Sequence, residues 1–160
     1  MIRAIFLDVD GTLISFSTHE IPASARRALT QAHERGVRLF IATGRAANDL
    51  GPLEGIPYDG VVSLNGARCV ANDGRVVSLH PIPRADFERA LALSEEQDFA
   101  MGLELEEGVF VNRVTPDVKR VAHMVAHPVP EQTDLRELFG RVECCQLCFY
   151  FDAETQRRVM

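Results

Sequence analysis

The sequence predicts an α/β fold built on a parallel sheet, followed by a second α/β segment. Three observations carry this. Strand-like and helix-like patterns alternate through the first 64 residues. The strand-like runs there are continuous apolar stretches, as in strands covered on both faces. The texture then changes at a proline-marked linker, and the alternation starts again.

Taken in order, residues 2–7 form an apolar run broken only by Arg3, which predicts a strand buried on both faces. Pro22 opens a helical pattern in which Ile21, Ala25, Ala28, Leu29 and Ala32 recur at spacings of three and four, and Gly36 stops it. "VRLFIA" (37–42) is a second strand, residues 46–53 fit a short helix, and "GVVSL" (60–64) is a third strand. Strand–helix–strand–helix–strand implies right-handed crossovers and a parallel sheet. "RCVANDGRVVSL" (68–79) reads as a hairpin turning at Asn-Asp-Gly. "HPIPR" (80–84) is the linker, and it divides the chain into 1–82 and 83–160. A helix fits 84–97, with Phe87, Ala90, Leu91 and Ser94 on one face. "FAMGLEL" and "GVFVNRV" flank Glu106-Glu107 as a second hairpin. Thr115-Pro116-Asp117 combines a capping side chain with a first-turn proline and starts a helix whose apolar stripe is Val118, Val121, Ala122 and Val125. "DLRELFG" is a short helix, "VECCQLCFYF" (142–151) a strand, and "AETQRRVM" the start of another helix.

The chain has 160 residues, 46% of them hydrophobic, enough for one good core or two small ones. A net charge of −6 argues against nucleic acid and membrane surfaces as partners, since both select basic patches. Arg3 and Asp8 interrupt the first apolar run, which excludes a leader pattern there, and no 18-residue apolar stretch exists; the expectation is a soluble cytoplasmic protein. Cys145 and Cys148 form a C-x-x-C. On a strand a spacing of three sends the two thiols to opposite faces, and a second ligand pair is missing, so they read, with Cys69 and Cys144, as reduced thiols. His123 and His127 stand four apart without the glutamate of H-E-x-x-H, opposite the valine stripe, and read as solvent-facing.

The chemistry is concentrated in "FLDVDGTL" (6–13). A carboxylate at the end of a parallel strand points into the crevice where such sheets place ligands. Two like charges about 4 Å apart repel by about 4 kcal/mol at an effective dielectric near 20, so Asp8 and Asp10 so placed call for a cation. An apolar strand followed by D-x-D-G-T-L resembles motif one of the haloacid dehalogenase superfamily. "ATGR" (42–45), closing the second strand and opening a helix, resembles its motif two. The insertion after the third strand resembles the type II cap, in particular the α/β cap of Cof-type sugar phosphatases of subclass IIB. The resemblance implies a Rossmann-like parallel-sheet hydrolase core, with an inserted α/β cap that closes over it and selects substrate. Both would be incomplete over this length. It implies a nucleophile at Asp8, a general acid–base group at Asp10, and Mg²⁺ on Asp8 and the Asp10 backbone carbonyl. It also implies phosphate contacts from Gly11, from Thr43 with Gly44 at the helix start, and from Asn65 and Gly66. The implied activity is hydrolysis of a small phosphate ester, a hexose phosphate in particular, with a phosphosugar mutase as the alternative within the family. Arg45 either touches substrate or pairs with an acid, and His19 with Glu20, on the segment that joins core to cap, either contacts substrate, helps gate closure or is plain loop.

The match breaks in one respect. The family needs a lysine and an acidic pair after the cap. The single lysine, Lys119, falls in a predicted cap helix, and Asp152 with Glu154 falls where the family still has cap. The sequence therefore reads as the amino-terminal part of a longer enzyme. The competing reading is a catalytically inactive binding or regulatory fragment.

Overall fold

The computed structural model describes residues 2–15, 17–18, 20–125 and 127–159. His19 lies outside them. The chain divides into two compact units, Met1–His80 and Pro81–Met160.

The first unit holds β1 (Ala4–Leu7), α1 (Ala23–Glu34), β2 (Arg38–Ala42), β3 (Gly60–Ser63), β4 (Arg68–Ala71) and β5 (Val76–Leu79). The sheet order is β1-β2-β3-β4-β5, with β1, β2 and β3 parallel and the hairpin antiparallel. Leu39 and Ile41 of β2 are fully buried, and strand alternation puts Ile5, Leu7 and Val61 on the same face. Ala25 and Leu29 of α1 pack there, because residues four apart share a helix face. Ala28 was expected on that stripe but is exposed, since it sits about 100° round the helix from Leu29. Gly36, at φ +82°, ends the helix in the left-handed region where a side chain would be strained.

Two expectations fail in this unit. β1, the edge strand of the sheet, was expected to be covered on both faces, yet Ile2 and Phe6 are 70% and 62% exposed. Composition gives away an apolar strand but not its place in the sheet. Phe6 points to the face opposite Leu39 and stacks on Phe40 at 4.9 Å. The expected helix over 46–53 is absent. The segment runs as turns into a single 3-10 turn, Gly51–Leu53. Asn48, Asp49, Gly51 and Pro52 all favour turns over helix, and Leu50 and Leu53 still reach the core. Thr43 and Gly44 therefore do not stand at a helix start.

An apolar edge strand is a template for pairing. The 160-residue chain should self-associate in size-exclusion chromatography at tens of micromolar, and Phe6→Lys should shift it toward monomer. A sharp monomer peak for the unmodified chain would contradict the edge argument.

The second unit holds α2 (Arg84–Glu96), β6 (Ala100–Leu105), β7 (Gly108–Val111), α3 (Pro116–Met124), β8 (Glu131–Gln132), α4 (Leu135–Phe139), β9 (Gln146–Tyr150) and α5 (Ala153–Val159). Its sheet runs β8-β7-β6-β9. Met101, Leu103 and Leu105 of β6 face α2 and α4, burying Phe87, Leu91 and Leu135, with Phe87 stacked on Phe139 at 4.1 Å. Ala100, Val111 and Tyr150 gather on Val118 of α3. Thr115 caps α3 as expected, accepting from the Val118 N–H at 3.3 Å. α3 stops at Met124, so Val125 is half exposed rather than on the buried stripe, and exposed His127 lies past the helix, out of helical spacing with His123. The two-residue, exposed strand β8 has no apolar pattern by which the sequence would announce it.

The expected strand over 142–151 contracts to Gln146–Tyr150, so Cys145 precedes it and strand alternation does not relate Cys145 to Cys148. All four cysteines are free thiols. Burial, then the neighbouring Glu104 carboxylate, pushes the Cys148 thiol up to about 12. Burial also raises Cys144, which is 1% exposed and donates to the Gln146 carbonyl at 3.2 Å. Alkylation needs the thiolate. Iodoacetamide at pH 8 should therefore spare Cys144 and Cys148 in the folded protein and reach them after unfolding. Peptide mass mapping reads this, and prompt labelling of Cys148 in the folded chain would refute it.

Candidate active site

The site begins where β1 stops. Val9, Leu13 and Ile14 are buried and pin the following loop to the core. The Val9 carbonyl accepts from the N–H groups of Leu13 at 3.0 Å and Ile14 at 2.8 Å, which curls the chain back on itself. Gly11 closes the curl at φ +78°, and its N–H donates to the Ile14 carbonyl at 2.8 Å. That N–H was expected to face a phosphate. It is engaged inside the loop, so what glycine supplies here is the left-handed turn. With the apolar side chains plugged inward, Asp8, Asp10 and Thr12 are left exposed on the outside. Thr12 Oγ1 donates to Asp8 Oδ2 at 2.8 Å and so fixes that carboxylate. An open cavity of about 380 Å³ beside the loop is lined by Gly11, Thr12, Leu13, Ser15, Ser17 and Pro22.

Arg45 joins this loop to the end of β2. Its Nε and Nη2 donate to the two Asp10 carboxylate oxygens at 2.9 and 2.8 Å. Its Nη1 donates to Asp49, reaching both Oδ2 and the backbone carbonyl at 3.2 Å. The Asp10 hydrogen bonds, and Asp49 after them, hold the guanidinium more firmly charged than usual. Of the two roles open to Arg45, the structure displays the pairing with acids.

Thr43 is 6% exposed, and its N–H donates to the Val62 carbonyl at 2.9 Å. Its Oγ1 accepts from the Arg45 N–H at 3.1 Å, and the hydroxyl keeps its own proton to donate. The segment is tied to the end of β3: the Leu64 N–H donates to the Arg45 carbonyl at 3.1 Å, and the Asn65 N–H to the Thr43 carbonyl at 3.2 Å. Leu64, Asn65 and Gly66 are consecutively left-handed, at φ +50°, +54° and +95°. This turn brings the Asn65 amide so close to Gly44 that a Cβ there would lie 3.2 Å from Asn65 Oδ1. A side chain at position 44 would thus push the Asn65 amide aside by a few tenths of an ångström.

Asp8, Asp10, Gly11, Thr43, Gly44, Arg45, Asn65 and Gly66 therefore form one connected set. The sequence reading missed Thr12 and Asp49. Thr12 carried a signal, four residues past Asp8 across a glycine turn. Asp49 is four past Arg45, a helical pairing distance in a segment that is not helical. Lys119 is exposed on α3 in the second unit. Asp152 caps α5 by accepting from the Thr155 N–H at 2.8 Å, and its carboxyl is lowered mainly by that bond.

An all-oxygen donor set suits a hard cation, and Mg²⁺ takes one or two carboxylates and completes its shell with water and substrate phosphate. The Asp8 carboxylate with the Asp10 carbonyl fits that demand. Among the described residues no three His, Cys, Asp or Glu side chains come together in a way that could hold a metal ion. Among the described residues no helix is long and apolar enough to cross a membrane.

A parallel sheet with paired aspartates after its first strand and a threonine after its second is the arrangement that the resemblance to haloacid dehalogenase-like hydrolases implies. Residues 5–159 match the haloacid dehalogenase-like hydrolase family, and the chain belongs to it. It is 54% identical to BT1666 of Bacteroides thetaiotaomicron, described as a phosphatase of the haloalkanoate (HAD) superfamily, with a TM-score of 0.92 over 100% of this chain and 60% of that one. It is 29% identical to BT4131, described as a HAD subclass IIB sugar phosphatase, with a TM-score of 0.83 over 98% of this chain and 62% of that one. YkrA of Bacillus subtilis (strain 168), a phosphatase by name, is 30% identical over 95 residues, 59% of this chain and 36% of that protein. The chain thus spans less than two thirds of the length of these relatives.

Proposed function

We propose that this chain carries the nucleophile and the acid–base group of a Mg²⁺-dependent phosphatase acting on a small phosphorylated metabolite, a hexose phosphate in particular. The observation that carries the reading is the fork of Arg45 on Asp10, which brings the D-x-D loop and the T-G-R segment into one site. The description of BT4131 as a sugar phosphatase supports the substrate class.

In this reading an Asp8 oxygen attacks phosphorus and the bond to the leaving oxygen breaks, leaving an aspartyl-phosphate. Asp10 gives its proton to the leaving oxygen, then takes one from water as that water attacks phosphorus and frees Asp8. Thr12 orients the nucleophile, and the Thr43 hydroxyl donates to the phosphoryl oxygens, with the Asn65 amide beside it. Bound Mg²⁺ would neutralise the charge of carboxylate and phosphate in one place.

A second reading is a binding or regulatory fragment. It is favoured by the placement of the sequence's one lysine, Lys119, as an exposed residue of α3 in the second unit. Phosphate release from hexose 6-phosphates with and without Mg²⁺ separates the two. The assay is run on this chain and on the chain continued with the remaining residues of BT1666. The phosphatase reading expects metal-dependent turnover in the continued form. Ester binding without turnover in both forms would favour the fragment.

A further inference from the structure

The neighbourhood of Arg45 holds more than a salt bridge. Its backbone is fixed from both sides, the N–H on Thr43 Oγ1 and the carbonyl on the Leu64 N–H. Its side chain is the least exposed of the three charged partners, at 22% against 42% for Asp10 and 38% for Asp49. Both Asp10 oxygens lie on one edge of the planar guanidinium, which sets the plane of that carboxylate as well as its place. A side chain on an exposed loop otherwise keeps its rotamer freedom. Asp49 takes the remaining nitrogen through two acceptors, so the guanidinium itself is held from behind.

We propose that Arg45, anchored by Asp49, is a positioning residue that aims the Asp10 carboxylate at the leaving oxygen. This rests on Asp10 being the acid–base group of the proposed phosphatase. Arg45 touches no reacting atom in this account. Its effect passes through Asp10, and the effect of Asp49 passes through Arg45. A misaimed acid hurts only those esters whose leaving group needs a proton. A sugar alkoxide needs one, while 4-nitrophenolate leaves without one.

Two readouts on Asp49→Ala test this. In the ¹⁵N-arginine-labelled 160-residue chain, hydrogen exchange at the Arg45 Nε–H should quicken about tenfold or more. In kinetics, kcat on a hexose 6-phosphate should fall about 10–100-fold while kcat on 4-nitrophenyl phosphate stays within about threefold. Asp49→Asn, which keeps an acceptor oxygen, should restore most of both. Unchanged Nε–H exchange overturns the anchor, and an equal loss on both esters overturns the positioning role. If the chain continued with the remaining residues of BT1666, the form used for the kinetics, turns over neither ester without the substitution, the phosphatase reading fails instead, and the exchange measurement alone decides whether Asp49 holds Arg45.

Discussion

On the proposed phosphatase reading, Asp8→Asn should abolish phosphate release while leaving the fold in place. The amide is nearly isosteric with the carboxylate, and Thr12 Oγ1 keeps an acceptor where it now meets Asp8 Oδ2. The side chain is exposed, so the change leaves no buried group without a partner, and thermal stability should move by no more than about 0.5 kcal/mol. Chemistry has no such tolerance, because an amide nitrogen or oxygen does not attack phosphorus. Loss of a covalent nucleophile elsewhere costs on the order of 10⁴–10⁶ in kcat, and the same scale applies here. Phosphate release from hexose 6-phosphates, measured beside thermal unfolding, checks both halves. Turnover above about one per cent of the starting protein would remove the aspartyl-phosphate route.

Asp10→Asn costs less in rate and more in order. Acid–base catalysis contributes about 10²–10⁴-fold, equivalent to about 3–5 kcal/mol of barrier. The substitution also takes one carboxylate from Arg45, which then keeps only Asp49. That pair is about two-fifths exposed on the Asp10 side, so its contribution to stability is within about 1 kcal/mol. Turnover should therefore collapse at nearly unchanged melting temperature. Equal melting and equal turnover together would mean that Asp10 is not the proton carrier.

Most of the candidate site was legible in the sequence because its residues sit at strand ends, and strand ends are legible. Residues 2–7 and 37–42 are apolar runs that stop at Asp8 and Thr43, and a parallel sheet places both stops on one rim. Neighbours in space were harder to see. Asp49 lies in a stretch read as helix from its apolar spacing, whereas Asn48, Gly51 and Pro52 prefer turns and prevailed. The edge position of β1 followed from the resemblance, which places its second neighbour beyond the cap, and not from its composition, since an apolar strand looks the same whether one or two strands flank it. In the second unit α2 was plain from its buried stripe and α3 from its stripe and its Thr115 cap. β8 was not, because a strand of two exposed residues leaves no periodicity.

The turn at Leu64, Asn65 and Gly66 limits what variation this scaffold tolerates. A non-glycine residue in the left-handed region costs on the order of 1 kcal/mol, and two in succession are held there only by what surrounds them. Leu64 is 5% exposed and acts as the anchor that keeps the next residue out of its preferred region. Asparagine is among the few side chains that accept this conformation cheaply, and Gly66 has no substitute at φ +95°. A mutant library aimed at new substrates would waste its diversity on these three codons: most members would relax the backbone, pull Asn65 off Gly44 and lose the placement of Thr43 before any new contact was sampled. Fixing residues 64–66 and randomising Ser15 and Ser17, on the open side of the cavity, would keep the rim intact while the pocket changes.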